Sequence, residues 1–339
     1  MPLFGRRNRQ SNSTEHPVAA FWVWWAANAE SIDPMSASAA ADELTQHVQA
    51  IHPDLTWHFG PGAASQHRLT VSASGVAEVR PAAERWLRAA PPADSRWEYR
   101  ASQEAEPGAM SCTLTITGHE VDLSRTVFRV ETVEEELRVH VGVHHPAFAA
   151  MPEDVRSQVT FLVLDWVLGE DDVERWLGHI EPLVDAPADA TSAADVRAAA
   201  DALAQDCGPD EWAMAQWQGD DGLVGIATFR RGVRWIDMPT FDRHHVLTRR
   251  YPVQSNGLPL DGDVLDEMYG IEEPLQAALG SRGVLIGHES FGGVRTFHVY
   301  ADGEDQNVDA TLKAFAQSHD MVLESQPDPA WSQVRHMTR

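Results

Sequence analysis

The sequence predicts an α+β protein built as two domains, and three observations predict it. At 339 residues the chain exceeds one ordinary core and fits two domains of roughly 150 residues each. Segments of period 2 alternate with segments of period 3.6 on both sides of one stretch that has neither. Residues 184–195, VDAPADATSAAD, combine Ala, Asp, Pro, Ser and Thr without apolar period, which is the composition of a linker. The expected division is a disordered lead over 1–16, an α+β domain over 17–186, a linker and connecting helix over 187–210, and a second α+β domain over 211–332.

The lead is mildly basic through Arg6, Arg7 and Arg9. AFWVWWAANAESI, residues 20–32, follows, with Phe21, Trp24, Trp25, Asn28, Ala29 and Ile32 at helical spacing and Pro17 suited to a first turn. The stretch is too short to cross a bilayer, which takes about 20 apolar residues. Its other face offers Ala, Asn and Glu30 where an interfacial helix carries a Lys/Arg stripe. A core-facing helix is expected. IDPMSASAAADELTQHVQAIHP predicts a second helix, capped by Asp33 and Pro34, with Leu44, Val48 and Ile51 as its stripe. HRLTVSA reads as a strand, and GVAEVRPAAERWLRAAP as a helix through Val76, Val79, Ala83, Trp86 and Leu87.

SRWEYRA and SCTLTITG are extended, and RTVFRV pairs with ELRVHVGVHHP across the acidic ETVEEE. EDVRSQVTFLVLDWVLG predicts a helix with Val155, Val159, Leu162 and Trp166 on one face and Gly169 as its stop. EDDVERWLGHIEPL predicts a last short helix whose acidic first turn suits the helix dipole. AADVRAAADALAQDCG is expected to be the helix that leads into the second domain.

That domain opens with EWAMAQWQGDDGLVGIATFR, two strands around an Asp221-Gly222 turn. An extended HHVLTRRYPV precedes helical DGDVLDEMYGIEEPLQAALG, broken near Gly270 and restarted with Pro274. GVLIGHES and VRTFHVYADG form a hairpin over Gly292-Gly293. QNVDATLKAFAQSHD is helical through Val308, Leu312 and Phe315, and MVLESQ closes as a strand. From residue 245 the order is β-α-β-β-α-β, the ferredoxin-like split βαβ pattern with a hairpin added before it.

Trp212, the Asp221-Gly222 turn, NGLPL at 256–260, GIEEPL at 270–275, GHESFGGVRTFHVY at 287–300 and DPAW at 328–331 carry a resemblance. Over about residues 205–331 the chain resembles the bacterial family of domains of unknown function 695. The first half looks like an uncharacterised domain that precedes it. Such domains resemble, and can accompany, α+β modules like the regulator B of ribonuclease E, an acidic inhibitor. The resemblance therefore implies an α+β module and assigns no catalytic residue.

Charge excludes some functions. The formal net charge is −25, with 26 acidic against 11 basic side chains over residues 17–186 and 24 against 12 over 187–339. Neither half suits phosphate backbones or anionic membrane surfaces; a basic protein partner stays open, while acidity by itself mostly serves solubility. Cys112 and Cys207 stand far apart and make neither a disulfide framework nor a thiolate zinc site. The start of the chain lacks the apolar core of a secretory signal, so a cytoplasmic location is expected.

No motif for a cofactor or metal emerges. In HVGVHH, residues 140–145, His140 and His144 alternate with valines on a strand and stand roughly 13 Å apart at about 3.3 Å per residue. One zinc ion, with bonds near ~2 Å, cannot bridge them, and both are expected on a wet face. His244 and His245 should point to opposite faces. GHESFGG misses the Gly-x-Ser-x-Gly pattern because His288 stands two before Ser290, and the context is strand to strand. Around the hairpin, Glu289, Thr296, His298 and Tyr300 are expected on one face as exposed side chains. Val284, Ile286, Phe297 and Val299 share the other with His288. No catalytic, cofactor-binding or metal residue is assigned. The expected function is a non-enzymatic binding or regulatory role on a protein partner. The alternative is a hydrolase whose site lies at the domain junction, built from dispersed Asp, Glu and His.

Overall fold

The structure, a computed structural model, describes residues 16–34, 38–206, 208 and 211–337. It is α+β, and among the described residues the buried apolar side chains gather in four clusters. The expectations for residues 1–15 and for Cys207 lie outside the described residues.

The first cluster belongs to α1 (Pro17–Asn28), α2 (Ser38–Ile51), β1 (Thr56–Pro61), β2 (His67–Ser72), α3 (Arg80–Arg88) and β3 (Trp97–Arg100). β1 and β2 run antiparallel, and β2 and β3 parallel. The tryptophan stretch is core here. Phe21 and Trp25 are buried with Leu44, Val48, Val71 and Trp86, and Ile32 joins them. A buried indole N–H usually finds an acceptor; that of Trp86 has none among the described residues, whereas three others do. Trp25 Nε1 donates to the Tyr99 hydroxyl at 2.9 Å, Trp97 Nε1 to the Ala29 carbonyl at 3.1 Å, and Trp22 Nε1 to that of Trp86 at 2.9 Å. Pro34, expected at the first helical position, lies in a turn, and the described part of α2 runs from Ser38.

The second cluster joins the hairpin β4 (Thr113–Ile116) and β5 (His119–Asp122) to β6 (Val127–Val133), β7 (Arg138–His144), α4 (Glu153–Leu168), α5 (Glu170–Trp176), β8 (Leu177–Leu183) and α6 (Ala193–Asp206). α4 buries Val155, Val159, Val163 and Val167 together with Leu164 and Leu168, a stripe turned from the expected one, while Leu162 and Trp166 are half-buried. It stops where Gly169 turns to φ 85°, a conformation that favours glycine. The single helix expected over 170–183 is corrected. Only 170–176 is helical, and β8 then pairs parallel with β7. Gly178 and Pro182 are the poorest helix residues, and a Cβ at Gly178 would meet the His140 ring at 2.6 Å.

α6, expected to lead onward, buries Val196, Ala200 and Leu203 in this same cluster. The linker-like segment before it is tied to β6, since Thr191 and Phe128 exchange backbone hydrogen bonds at 2.7 and 3.0 Å.

The remaining chain builds one six-stranded sheet from β9 (Trp212–Gln218), β10 (Val224–Arg230), β11 (Arg243–Arg250), β12 (Gly283–Phe291), β13 (Val294–Ala301) and β14 (Val322–Pro327). Its order is β14-β11-β13-β12-β10-β9, and all neighbours are antiparallel. α7 (Gly262–Tyr269), α8 (Glu272–Leu279) and α9 (Gln306–Ser318) fill the crossovers. α8 and α9 share the third cluster with Leu247, Leu285, Phe297 and Val299. The opposite face of the sheet holds the fourth cluster, where Val284, Ile286 and Tyr300 meet Trp331, Val334 and Met337 of the returning tail.

That division corrects the expected hairpin faces. The register shifts between Leu285 and Gly287, so Val284 pairs with Tyr300 and Leu285 with Val299. The bulge moves Val284 and Ile286 to the Tyr300 face and leaves Leu285 with Phe297. Among the described residues no helix is long and apolar enough to cross a membrane.

Candidate functional site

The C-terminal sheet carries a buried ionisable cluster on each face and a bare strand at one edge. On the helix side, β13 brings Arg295 opposite Ser290 of β12, beside His288 and under Glu272 of α8. Arg295 Nη2 lies 3.0 Å from Glu272 Oε1 and donates to His288 Nε2 at 2.7 Å, and Nη1 reaches Ser290 Oγ at 3.4 Å. Its guanidinium lies 4.9 Å from the Tyr269 ring centre. Accepting at Nε2 leaves the neutral His288 ring protonated at Nδ1, 3.2 Å from Glu272. Burial, then Arg295, pulls His288 down to about 3. Burial raises Glu272 against the pull of Arg295. His288 Nδ1 and Arg295 Nε are buried without a hydrogen-bond partner among the described residues, and the adjoining cavity beside Tyr251 and Met268 measures only about 70 Å³. Ser290 sits within a strand and faces Arg295.

On the other face, His244 Nε2 and His298 Nδ1 are 3.0 Å apart, and the His244 ring stacks on Tyr300 at 4.7 Å. The Tyr300 hydroxyl donates to Asp328 Oδ2 at 2.5 Å. Asp328 also accepts from Ser332 N and Oγ at 2.9 and 2.5 Å and from Gln333 N at 3.0 Å. Burial pushes the Asp328 carboxyl up, but these hydrogen bonds hold it below its ordinary value. Trp331 stacks on Tyr300 at 4.5 Å, and His336 pairs with Glu289. His298 and Tyr300 are therefore buried, which corrects the exposure expected for the hairpin set. The tail from Asp328 to Met337 folds back over them. Alternation in a strand assigns a face but not what covers it.

The other expected positions disperse. His244 and His245 do point to opposite faces, the latter to Ser325 Oγ at 2.8 Å. His140 is half-buried, while His144 is buried with Nδ1 on the Leu183 carbonyl at 2.9 Å. β8 covers the end of β7 that was expected to be wet. Among the described residues no group of three or more His, Cys, Asp or Glu is gathered for a metal ion.

The edge strand β9 is a feature that sequence reading identified as a strand without seeing its exposure. WAMAQWQ contains no charge and no proline, and both its faces are open. Met214 is 72% exposed, Trp217 39% and Trp212 38%. The opposite edge, β14, is interrupted by Glu324 and ends on Pro327, the usual protections of an edge. β9 has neither. On the helix side, Trp212, Ala277 and Leu285 line an open groove of about 530 Å³, rimmed by Glu272 and Glu273. On the other side the Trp217 indole lies across Gly225 and stacks with Phe291 at 6.1 Å. Exposed acids bracket the strand, Glu211 before it and Asp220 and Asp221 after it. Comparison of the chain with family models, curated proteins and solved structures finds no match.

Proposed function

We propose that the protein is a non-catalytic binding protein that captures a basic protein partner by adding an extended segment of it to β9. The observation that carries this reading is an uncharged, proline-free, seven-residue edge strand with acids at both ends. Such an edge offers a row of backbone donors and acceptors, which strand addition uses for affinity. Trp212 and its groove would take one apolar side chain of the guest, and Trp217 with Phe291 another. Lys or Arg flanking the guest would meet Glu211 at one end and Asp220 and Asp221 at the other.

A second copy of the chain fits less well. Antiparallel pairing of β9 with itself sets Glu211 of each copy near Asp220 of the other, and like charges across a ladder oppose pairing. The junction cleft gives the hydrolase alternative little support. Among the described residues its walls hold Glu136, Glu174, His140 and His179 but no Ser, Thr, Cys or Asp, and two of the four are already engaged, Glu174 by Trp235 Nε1 at 2.9 Å and His140 Nδ1 by the His179 N–H at 3.1 Å.

The same reading takes residues 211–332 as a ferredoxin-like domain with the β9–β10 hairpin added at its edge. The fourth-first-third-second order of β14, β11, β13 and β12 supports that assignment. It takes the domain expected over 17–186 as separate and extended by α6, which packs into its core, places the C-terminal one in domain family 695, and has the protein work in the cytoplasm. A random-peptide display library screened on the full chain tests the function. Selected peptides are expected to be extended, apolar in alternation and flanked by Lys or Arg, and to be lost on Met214→Lys but kept on Met214→Leu. Acidic or unbiased selections, binding indifferent to Met214→Lys, or a dimer that this variant dissolves would overturn it.

A further inference from the structure

Where the two halves of the chain meet, they enclose a cleft of about 420 Å³. One wall comes from β7, the end of α5 and the start of β8, and the other from residues 233–235 and 330–335. In a chain of net charge −25, its polar lining is inverted: Arg138, Arg234 and Arg335 with His140 and His179, against Glu136 and Glu174.

Several of these groups are fixed as donors. Arg138 Nη1 is anchored on the carbonyls of Glu174, Arg175 and Leu177 at 2.7, 2.8 and 3.1 Å. Arg234 donates to the Glu136 carbonyl at 3.1 Å. The His179 backbone N–H donates to His140 Nδ1 at 3.1 Å, so the neutral His140 ring carries its proton on Nε2. The Glu174 carboxylate is engaged by Trp235. Arg335 is exposed and forms no hydrogen bond or ion pair among the described residues.

We propose that this cleft binds a small phosphate-bearing anion. Guanidinium forks and imidazole N–H groups match phosphate oxygens, and charge-assisted hydrogen bonds of this kind are the strong ones. The volume suits a small molecule and not a protein side. Because each half supplies donors, an occupied cleft bridges them. This site is separate from β9, so either proposal can fail alone.

Calorimetric titration of the full chain with inorganic pyrophosphate tests it. Saturable one-to-one binding is expected, weakened at least about tenfold by Arg335→Gln and by His179→Ala. Both side chains are exposed, so the unliganded variants should melt with the wild type. Arg250→Gln, at the exposed end of β11, should bind as the wild type does. Absence of saturable binding, or equal weakening by Arg250→Gln, overturns the proposal, as does binding that neither cleft variant alters.

Discussion

At neutral pH His244, His245, His288 and His298 sit uncharged in the C-terminal sheet. Burial pulls the first two down to about 4 and the last two to about 3. In the unfolded chain a histidine protonates near ~6.5. Folded values below the unfolded one mean that their stabilisation is complete above about pH 6.5 and is lost progressively as the pH falls toward 4 and 3. The urea midpoint should therefore drop between pH 7 and pH 5, with protons taken up on unfolding. A midpoint constant over that range would contradict the assignment.

Asp165 has the opposite sign. Burial, then Glu170, raises it to about 7, so its cost is absent in acid, grows as the pH rises above the unfolded value of about 3.9 and is complete above about 7. Asp165→Asn should stabilise the protein by about 1–2 kcal/mol at pH 8 and leave it unchanged at pH 4, as denaturant titrations can check. Trp25→Ala removes a buried indole and its bond to Tyr99, and should cost about 3–5 kcal/mol. Spacing alone made Trp25 legible as core. It could not make His144 or His298 legible as buried, because their covers, β8 and the C-terminal tail, are long-range partners.

Among the elements, β9 is the one whose sequence and surroundings disagree with a finished fold. Its mate β10 is half-covered, and the α8 layer reaches only as far as the groove beside Trp212. Gly225 is what lets Trp217 lie flat on the sheet, since any Cβ there would occupy the space of the indole. Gly225→Ala should lift Trp217, shift its indole NMR resonance and weaken captured peptides about tenfold. An unmoved resonance would refute that packing.

The order of strands and helices after residue 245 was readable from period and turns, because each element there has a clean apolar stripe: Val308, Leu312 and Phe315 of α9 are all buried as expected. The misread elements have local causes. β8 follows a helix without a break, and the bulge at Ile286 leaves no mark in the sequence. The exposure of β9 depends on how far the neighbouring helices extend, which no strand pattern encodes.

For the molecule as a whole, the halves are joined mainly by polar contacts. Arg85 of α3 reaches Asp242 at 2.9 Å and Asp302 at 2.5 Å, Arg175 pairs with Asp237, and Arg231 donates to the Glu134 carbonyl at 2.9 Å. Such interfaces permit separate folding. Since α6 is buried with the first half, residues 211–339 expressed alone should give dispersed amide signals. A molten fragment would mean that the halves share one core. Acidity spread over both halves also predicts a salt-dependent encounter with a basic peptide. The Debye length shrinks from about 30 Å at 0.01 M to about 10 Å at 0.1 M, so the association rate should fall several-fold while dissociation changes little.

Residue-resolved amide hydrogen exchange across β9, with and without a peptide selected on the full chain, tests strand capture most directly. In the free protein the outward-facing amides of Trp212–Gln218 should exchange fast and their inward neighbours, bonded to β10, slowly. Saturating peptide should slow the outward set specifically. Protection elsewhere, with the β9 edge still exchanging freely in the complex, would contradict strand addition at this edge.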